Sequence, residues 1–359
     1  MDGLTIPPLL LNILINFAVG LIVTVSLNIE VGYSGIPQFG RVLAVLTGAI
    51  VAGAIPGRIL AAMMGLPSGA DYAYHLINYR LVEKLNKVLS ANPLLSVGML
   101  LLTLALAAVV GAVVGYITAY PAIRLREAYL GITLLAFGDA LQIIAWNYQP
   151  LVGATQGVMV PDPFRWIGAG NTRFIGATFM ILGFAVLVFI YVERLTKSPF
   201  GRALKAMRDS ELAAMVYGKD IPKLRAQALM AGSALAAIGG ALWAFYVGSM
   251  KAVTYNRLIW TFWPWAYMML GGTGNNLGVL LGVLIFSTVR SLIYSYKSFL
   301  TAVIPISPSW LEYILVGLAI VLIVLFRPQG ILPEKPSLPI PRRVVERIRK
   351  ELVREPVKG

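Results

Sequence analysis

Hydrophobic positions along this chain fall in unbroken blocks of about twenty residues, the length a helix needs to cross a hydrocarbon layer roughly 30 Å thick. They do not form the one-sided stripe of a helix that packs on a soluble core. The blocks lie near 8–29, 42–64, 94–119, 128–147, 174–193, 226–248, 258–270, 277–297 and 311–327. They predict an all-α, polytopic transmembrane helix bundle of about nine spans. The seventh block is short, and Pro264 inside it with Gly271, Gly272 and Gly274 behind it predicts a broken or re-entrant helix. The first block is entered from Asp2 with no Lys or Arg and is not followed by a small-residue cleavage site. It therefore reads as a retained span.

The polar positions between the blocks are unevenly charged. Loops around Arg41, Arg124–Arg126 and Arg194–Arg225, with the tail from Arg327, hold 20 of the 30 basic residues. Because basic loops stay on the cytoplasmic side, these four regions are expected inside. The N-terminus is then outside, the C-terminus inside, and the loops at 65–93, 148–173, 249–257 and 298–310 face out. The chain divides into a transmembrane domain, 1–327, containing a cytoplasmic loop at 194–225, and a basic cytoplasmic tail, 328–359. In the tail Pro333, Pro336, Pro339 and Pro341 preclude a continuous helix. The amphipathic stretch from Arg342 to Lys350 either lies on anionic lipid, at about 1 kcal/mol per basic residue, or meets a partner. The 71–90 stretch, with Tyr72, Leu76, Tyr79, Leu85, Val88 and Leu89, reads as an exposed or interfacial helix.

Composition narrows the chemistry. Hydrophobic residues make up 58% of the chain and charged ones 13%, with a mean hydropathy of +0.77, so the protein belongs in a cell membrane, not in water. The net charge of +14 does not imply nucleic acid, because the basic residues sit between oily segments instead of on one water-facing surface. With no cysteine and only His75, the chain offers no disulfide, thiolate site or histidine cluster, and no cofactor is expected. It has no Gly-x4-Gly-Lys-Ser/Thr loop, and Gly272 to Gly278 misses the dinucleotide spacing by one residue. Gly32-Tyr33-Ser34-Gly35 lacks the spacing of a nucleophile elbow. An enzyme is not expected.

The most informative polar segment runs from Gly201 to Pro222. It is charged, helix-prone, and stopped by Gly218 and Pro222. Its Glu-x-Ala-Ala-x3-Gly arrangement, Glu211 to Gly218, resembles the signature cytoplasmic loop of ABC-importer permeases, where a short helix docks on the ATPase. Small Ala213 and Ala214 suit close approach, Gly218 lets the chain turn, and Gly201, Arg202, Arg208 and Glu211 complete the candidate ATPase-coupling set. The alternative is an ordinary basic loop. Four further motifs occur around it in order: Val31 to Gly40, Ala128 to Gly138, Gly271 to Gly278, and Leu325 to Leu332. Together the five resemble the branched-chain amino acid ABC permease family, most closely its LivM-type members, over roughly residues 10–335. The resemblance implies uptake of leucine, isoleucine, valine or related solutes delivered by an external binding protein. It also implies a second homologous permease and separate ABC ATPase subunits as partners. The chain departs from the family pattern at Arg41, usually smaller or less basic, at Asp139, more often glutamate, and in a longer 65–93 segment.

Glycine-rich pieces at 32–40 and 271–278 lie at or beside spans, where freed backbone is tolerated only inside protein or along a water-filled cavity. Gly32, Tyr33, Ser34, Gly35, Gln38, Thr273, Asn275 and Asn276 are therefore substrate-pathway candidates. The alternative is that the glycines permit close packing while the polar groups satisfy local backbone. Asp139 and Gln142 share one helix face inside a span. An ionisable group there is costly in lipid, so both join the pathway candidates, with a structural hydrogen-bonding role equally open. Arg290 reads as snorkelling to the outer interface. Alternating access driven by separate ATPases, with the 201–222 helix transmitting their movement, is the expected mechanism. Two other classes compete: a gradient-driven secondary transporter of small amphipathic solutes working through Asp139, and, more remotely, an intramembrane enzyme.

Overall fold

The computed structural model describes residues 7–125, 127–296 and 308–334. The first apolar block forms α1 (Pro8–Asn28), started by a proline whose missing N–H costs nothing at a helix N-terminus, and it runs on through one π turn, Ile29–Tyr33. A loop reverses the chain into α2 (Arg41–Ala54), and Pro56 restarts the same span as α3 (Pro56–Met63). Then follow α4 (His75–Ala91), α5 (Pro93–Arg124), α6 (Glu127–Asn147), the single turn α7 (Gln149–Val152) and α8 (Asn171–Lys197). Two short helices, α9 (Pro199–Asp209) and α10 (Glu211–Val216), lead to α11 (Ile221–Val247). A π turn, Leu258–Phe262, opens α12 (Trp263–Gly271), and α13 (Asn276–Ser295) and α14 (Pro308–Phe326) complete the described chain.

Seven helical segments are long and apolar enough to cross a bilayer: Pro8–Tyr33, Arg41–Met63, Pro93–Arg124, Ala128–Asn147, Asn171–Lys197, Ile221–Val247 and Asn276–Ser295. The polytopic all-α expectation therefore holds, whereas the described residues supply seven such segments against about nine expected. The difference falls partly on the Pro264 block. Its π turn and α12 together span 14 residues, about 21 Å at 1.5 Å per residue, which is too short for a full crossing.

The core forms where α11 passes between α2 and α5. A side chain on Gly48 would strike the Ala237 carbonyl, and one on Gly240 would strike the Val45 carbonyl. The α2 and α11 backbones thus touch directly, the close approach that substitutes for hydrophobic driving force between helices in lipid. The opposite faces carry Leu101, Val109 and Val113 on α5, Ile143 and Ile144 on α6, and Leu187 and Ile190 on α8, all exposed. A water-soluble surface would not tolerate so continuous an apolar belt. Polar side chains inside the spans turn back onto their own helices: Thr47 donates to the Leu43 carbonyl at 2.8 Å and Thr103 to the Met99 carbonyl at 2.7 Å.

One end of the bundle is closed by the 65–93 and 148–173 segments. Leu85 and Leu89 of α4 pack on Leu60 and Met99, while Leu76 and Tyr79 stay exposed. A two-residue antiparallel pair, β1 (Val158–Met159) with β2 (Ser249–Met250), joins this end to α11. Arg173 locks the join. Its Nε meets Asp162 at 2.8 Å, and its two Nη atoms donate to the carbonyls of Tyr246 and Phe245 at 2.7 and 2.8 Å. A cation thereby satisfies the last carbonyls of α11, where the helix dipole is negative.

Candidate functional site

At the other end, the segment between α8 and α11 is folded by local signals. Ser198 and Pro199 start α9. Ser210 caps α10 by accepting from the Ala213 N–H, and Asp220 caps α11 by accepting from the Lys223 N–H at 3.0 Å. Gly218 ends α10 with φ +72°, and the Lys219 N–H returns to the Ala214 carbonyl at 3.0 Å. Gly201 sits against the Thr196 carbonyl with no room for a side chain. Ala214 is buried, whereas Arg202 and Ala213 are exposed.

Most of the expected pathway residues form the base under these two helices. The Gly32 carbonyl accepts a hydrogen bond from Arg208, and Gly35, at φ +72°, lies against the Arg208 side chain. Tyr33 is buried with Lys205 Nζ 5.1 Å from its ring centre. Arg208 and Lys205 both reach Glu334, at 2.8 and 2.7 Å. Burial works against the Arg208 charge, but Glu334 and Asp209 outweigh it and raise the guanidinium above its ordinary range.

Asparagines connect this base to the bundle. Asn28 donates to Asn276 Oδ1 at 2.9 Å and accepts from the Gly274 N–H at 3.0 Å. Asn276 in turn donates to Glu193 at 2.8 Å and to Thr196 at 3.0 Å. Asn275 caps α13 and holds the carbonyls of Leu332 and Pro333, each at 3.2 Å. Ile331 and Leu332 donate their N–H groups to the carbonyls of Leu270 and Gly271. Thr273 sits exposed in the intervening turn. Ser34 bonds the Glu30 carbonyl, while Gln38 accepts from the Gly40 N–H and offers its carbonyl to the Trp265 indole at 3.0 Å. The polar groups of Ser34, Gln38 and Asn275 are thus engaged with backbone.

Asp139 and Gln142 do share a face, and both meet the segment before α12. Asp139 pairs with Arg257 at 3.1 Å, half-exposed, and Gln142 donates to the Ala252 carbonyl at 3.2 Å. Glu211 does not reach outward, as it pairs with Arg225, which also donates to the Ala122 carbonyl at 2.8 Å. The outward face of α10 consists instead of Leu212, Met215 and Val216, followed by Tyr217, exposed by 50 to 83%. Beside it an open groove of about 790 Å³ runs between the 34–39 loop and the facing ends of α5 and α6.

Two features escaped sequence reasoning. Arg41, read as a loop charge, is fully buried, and its partner Glu30, in the π turn that continues the first apolar block, was not singled out. A lone acid in an otherwise oily span was the available signal. The exposed apolar face of α10 also went unread, because apolar residues in a short polar loop look like packing residues until their environment is known.

Residues 9–324 match the family model described as the branched-chain amino acid transport system / permease component. The chain is 39% identical over 342 residues to the probable branched-chain amino acid transport permease protein LivM of Methanocaldococcus jannaschii, covering 93% of this chain and 96% of that one. It is 27% identical over 255 residues to the high-affinity branched-chain amino acid transport system permease protein LivM of Salmonella typhimurium, covering 64% of this chain and 56% of that protein. It is also 28% identical over 244 residues to the probable LivH permease of M. jannaschii, covering 64% and 72%. No solved structure matches the chain. With a match across most of its length and an apolar, multi-helix membrane architecture, this chain belongs to the branched-chain amino acid transport system permease family.

Proposed function

We propose that this chain is the membrane-spanning permease of an ATP-driven importer for branched-chain or related amino acids. An external binding protein delivers the solute, a second homologous permease completes the pathway, and separate ATPase subunits supply the energy. The observation that carries this reading is α10. A helix of six residues with Leu212, Met215, Val216 and Tyr217 in the open is costly in water unless a partner covers it. It stands on a base that Arg208, Glu334 and Arg225 tie to the spans, so movement of a partner would pass into α1, α12 and α13. Similarity to relatives named both LivM and LivH supports the two-permease arrangement.

The basic loops support an orientation with α9 and α10 in the cytoplasm, the N-terminus outside and the C-terminus inside. Counting the π turn with α12, and α14, as further passages brings the number to about nine. The 249–257 segment, made of β2 and a single 3-10 turn at Ala252–Thr254, then enters from the outer face to meet Asp139, and α12 finishes the crossing from there. The amphipathic stretch from Arg342 to Lys350 lies outside the described residues.

The test is co-purification of the tagged chain with its ATPase. Val216→Asp and Tyr217→Ala are expected to weaken the complex by about 2 kcal/mol each, roughly thirtyfold, while Gly218→Asp and Glu211→Lys disturb the loop that presents α10. Retention of the ATPase by all four variants, with solute uptake by the chain alone, would overturn the proposal in favour of a gradient-driven carrier.

A further inference from the structure

The outward faces of the spans are of two kinds. Those of α5 and α8 are purely apolar: no charged residue lies between Pro93 and Ile123 or between Phe174 and Val192, and Leu101, Val109, Val113, Leu187 and Ile190 stand in the open. Acyl chains are as apolar as these side chains and cover them at no cost. The outward face of α6 is different, because it carries an ion pair inside the same belt. Asp139 lies eight residues inside the Asn147 end of its span, about 12 Å at 1.5 Å per residue, and it pairs with Arg257 at 3.1 Å. Asp139 remains 41% and Arg257 55% exposed. With a single methylene, Asp139 is too short to lift its carboxylate to the membrane surface as a long side chain would. Pairing covers one side of each charge, and lipid against the other side would be costly.

The residues around the pair form a seam. Tyr129, Ile132, Ala136, Asp139 and Ile143 follow one another at spacings of 3, 4, 3 and 4, the interval that lines side chains up toward a neighbouring helix. Tyr129, Ile132 and Ile143 are 61 to 76% exposed, and Ala136 is exposed between them. The polar centre of this seam is held in place. Gln142 donates to the Ala252 carbonyl at 3.2 Å, Tyr255 is buried and stacked on Trp260, and the Asn256 side chain accepts from the Ile259 N–H at 3.0 Å. Arg257 is thereby fixed where the π turn before α12 begins.

We propose that this face of α6, together with Arg257, is the contact surface for the second permease. The occupant is a membrane helix of that homologous subunit, apolar along the seam and with a hydrogen-bonding side chain opposite Asp139. Polar groups within a bilayer are satisfied across helix contacts of this kind, and acyl chains offer them nothing. Ala136 is the point of closest approach, and α5 and α8 keep their apolar faces toward lipid. The assignment rests on the two-permease reading above and adds to it the side of the bundle that is paired.

Photocrosslinking locates the contact. Photoreactive p-benzoylphenylalanine replaces Ile132 or Ile143 on the seam, and Val109 or Leu187 on the apolar faces, one position at a time. The assembled transporter is held in bilayer nanodiscs, with the second permease carrying a different tag. Irradiation is expected to join the two permeases from both seam positions and from neither apolar face. A second variant changes shape alone: Ala136→Trp should lower the yield of co-purified second permease roughly tenfold or more by overfilling the seam. Leu187→Trp should leave that yield unchanged, and retained ATPase shows that each variant has folded. Adducts to the second permease from Val109 or Leu187 but not from the seam overturn the assignment. So do seam adducts to lipid alone, or adducts that join two copies of this chain. Failure of the underlying reading shows separately, as absence of any second permease from the unmodified complex.

Discussion

Glu30 and Arg41 meet at 2.6 Å with neither side chain reaching solvent. Arg41 also donates to the Gly232 carbonyl at 3.0 Å, and a side chain on Gly232 would collide with the Glu30 carboxylate. One ion pair therefore joins the π turn of α1, the start of α2 and the middle of α11. Gln38 and Ser233 also lie beside the Glu30 carboxylate, whereas Arg41 Nε has no hydrogen-bond partner among the described residues, so the guanidinium is incompletely satisfied for its depth. Taking one partner away strands a charge in low dielectric, at a cost of about 3–5 kcal/mol, whereas replacing both can be close to neutral. Glu30→Gln and Arg41→Met should each lower the melting temperature of the purified protein sharply. The Glu30→Leu/Arg41→Met double variant should recover most of the loss.

Glu334 holds Lys205 and Arg208 at the base of α9. These side chains are about a quarter exposed, so the clasp should contribute about 1 kcal/mol, the upper end for a partly solvated pair. Glu334→Gln is expected to accelerate amide hydrogen exchange across 198–220 several-fold and leave exchange in α11 unchanged. Equal acceleration in both segments would mean that the clasp supports the whole bundle.

Gly218 has φ +72° and nothing within 4 Å of where a side chain would begin. Substitution there meets backbone strain alone, about 1–2 kcal/mol for an ordinary L-residue and less for asparagine. ATPase retention should therefore fall in the order glycine, Gly218→Asn, Gly218→Val. A similar loss for asparagine and valine would point to contact with the partner instead of strain.

Asp139 pairs with Arg257 across partly exposed side chains, a setting worth at most about 1 kcal/mol. Asp139→Asn should leave ATP-driven uptake running in vesicles without an ion gradient. Loss of uptake only when a proton or sodium gradient is the driving force would instead revive the gradient-driven alternative.

Much of the architecture was legible because a bilayer imposes a length and a polarity on each crossing. Blocks of apolar residues mark helices whatever they pack against, Pro264 marks the break before α12, and Gly218 marks the end of α10, whereas the expected single 201–222 helix is split at the Ser210 cap and Pro222 begins α11 after the Asp220 cap instead of stopping a helix. The 201–222 loop and the flanking glycine motifs carried the family resemblance for the same reason, since each is a short contiguous pattern. Spacing also put Asp139 and Gln142 on one face, and both do meet the 252–257 segment.

What the chain alone determined, then, was the apolar helical blocks and the polar, glycine-broken loop at 201–222, both governed by local hydropathy and backbone conformation. Only the tertiary structure decided which polar groups meet. Arg41 found Glu30, Glu334 reached back to Arg208, and Asn28 met Asn276 across 248 positions. A cavity between Val23 and Trp260 likewise exists only because α1 and the 249–267 segment are brought face to face. Apolar packing is non-directional, so a hydrophobic block does not specify its neighbour. Backbone contact at Gly48 and Gly240 and the pairing of buried polar groups make that choice, and both depend on residues far apart in the chain.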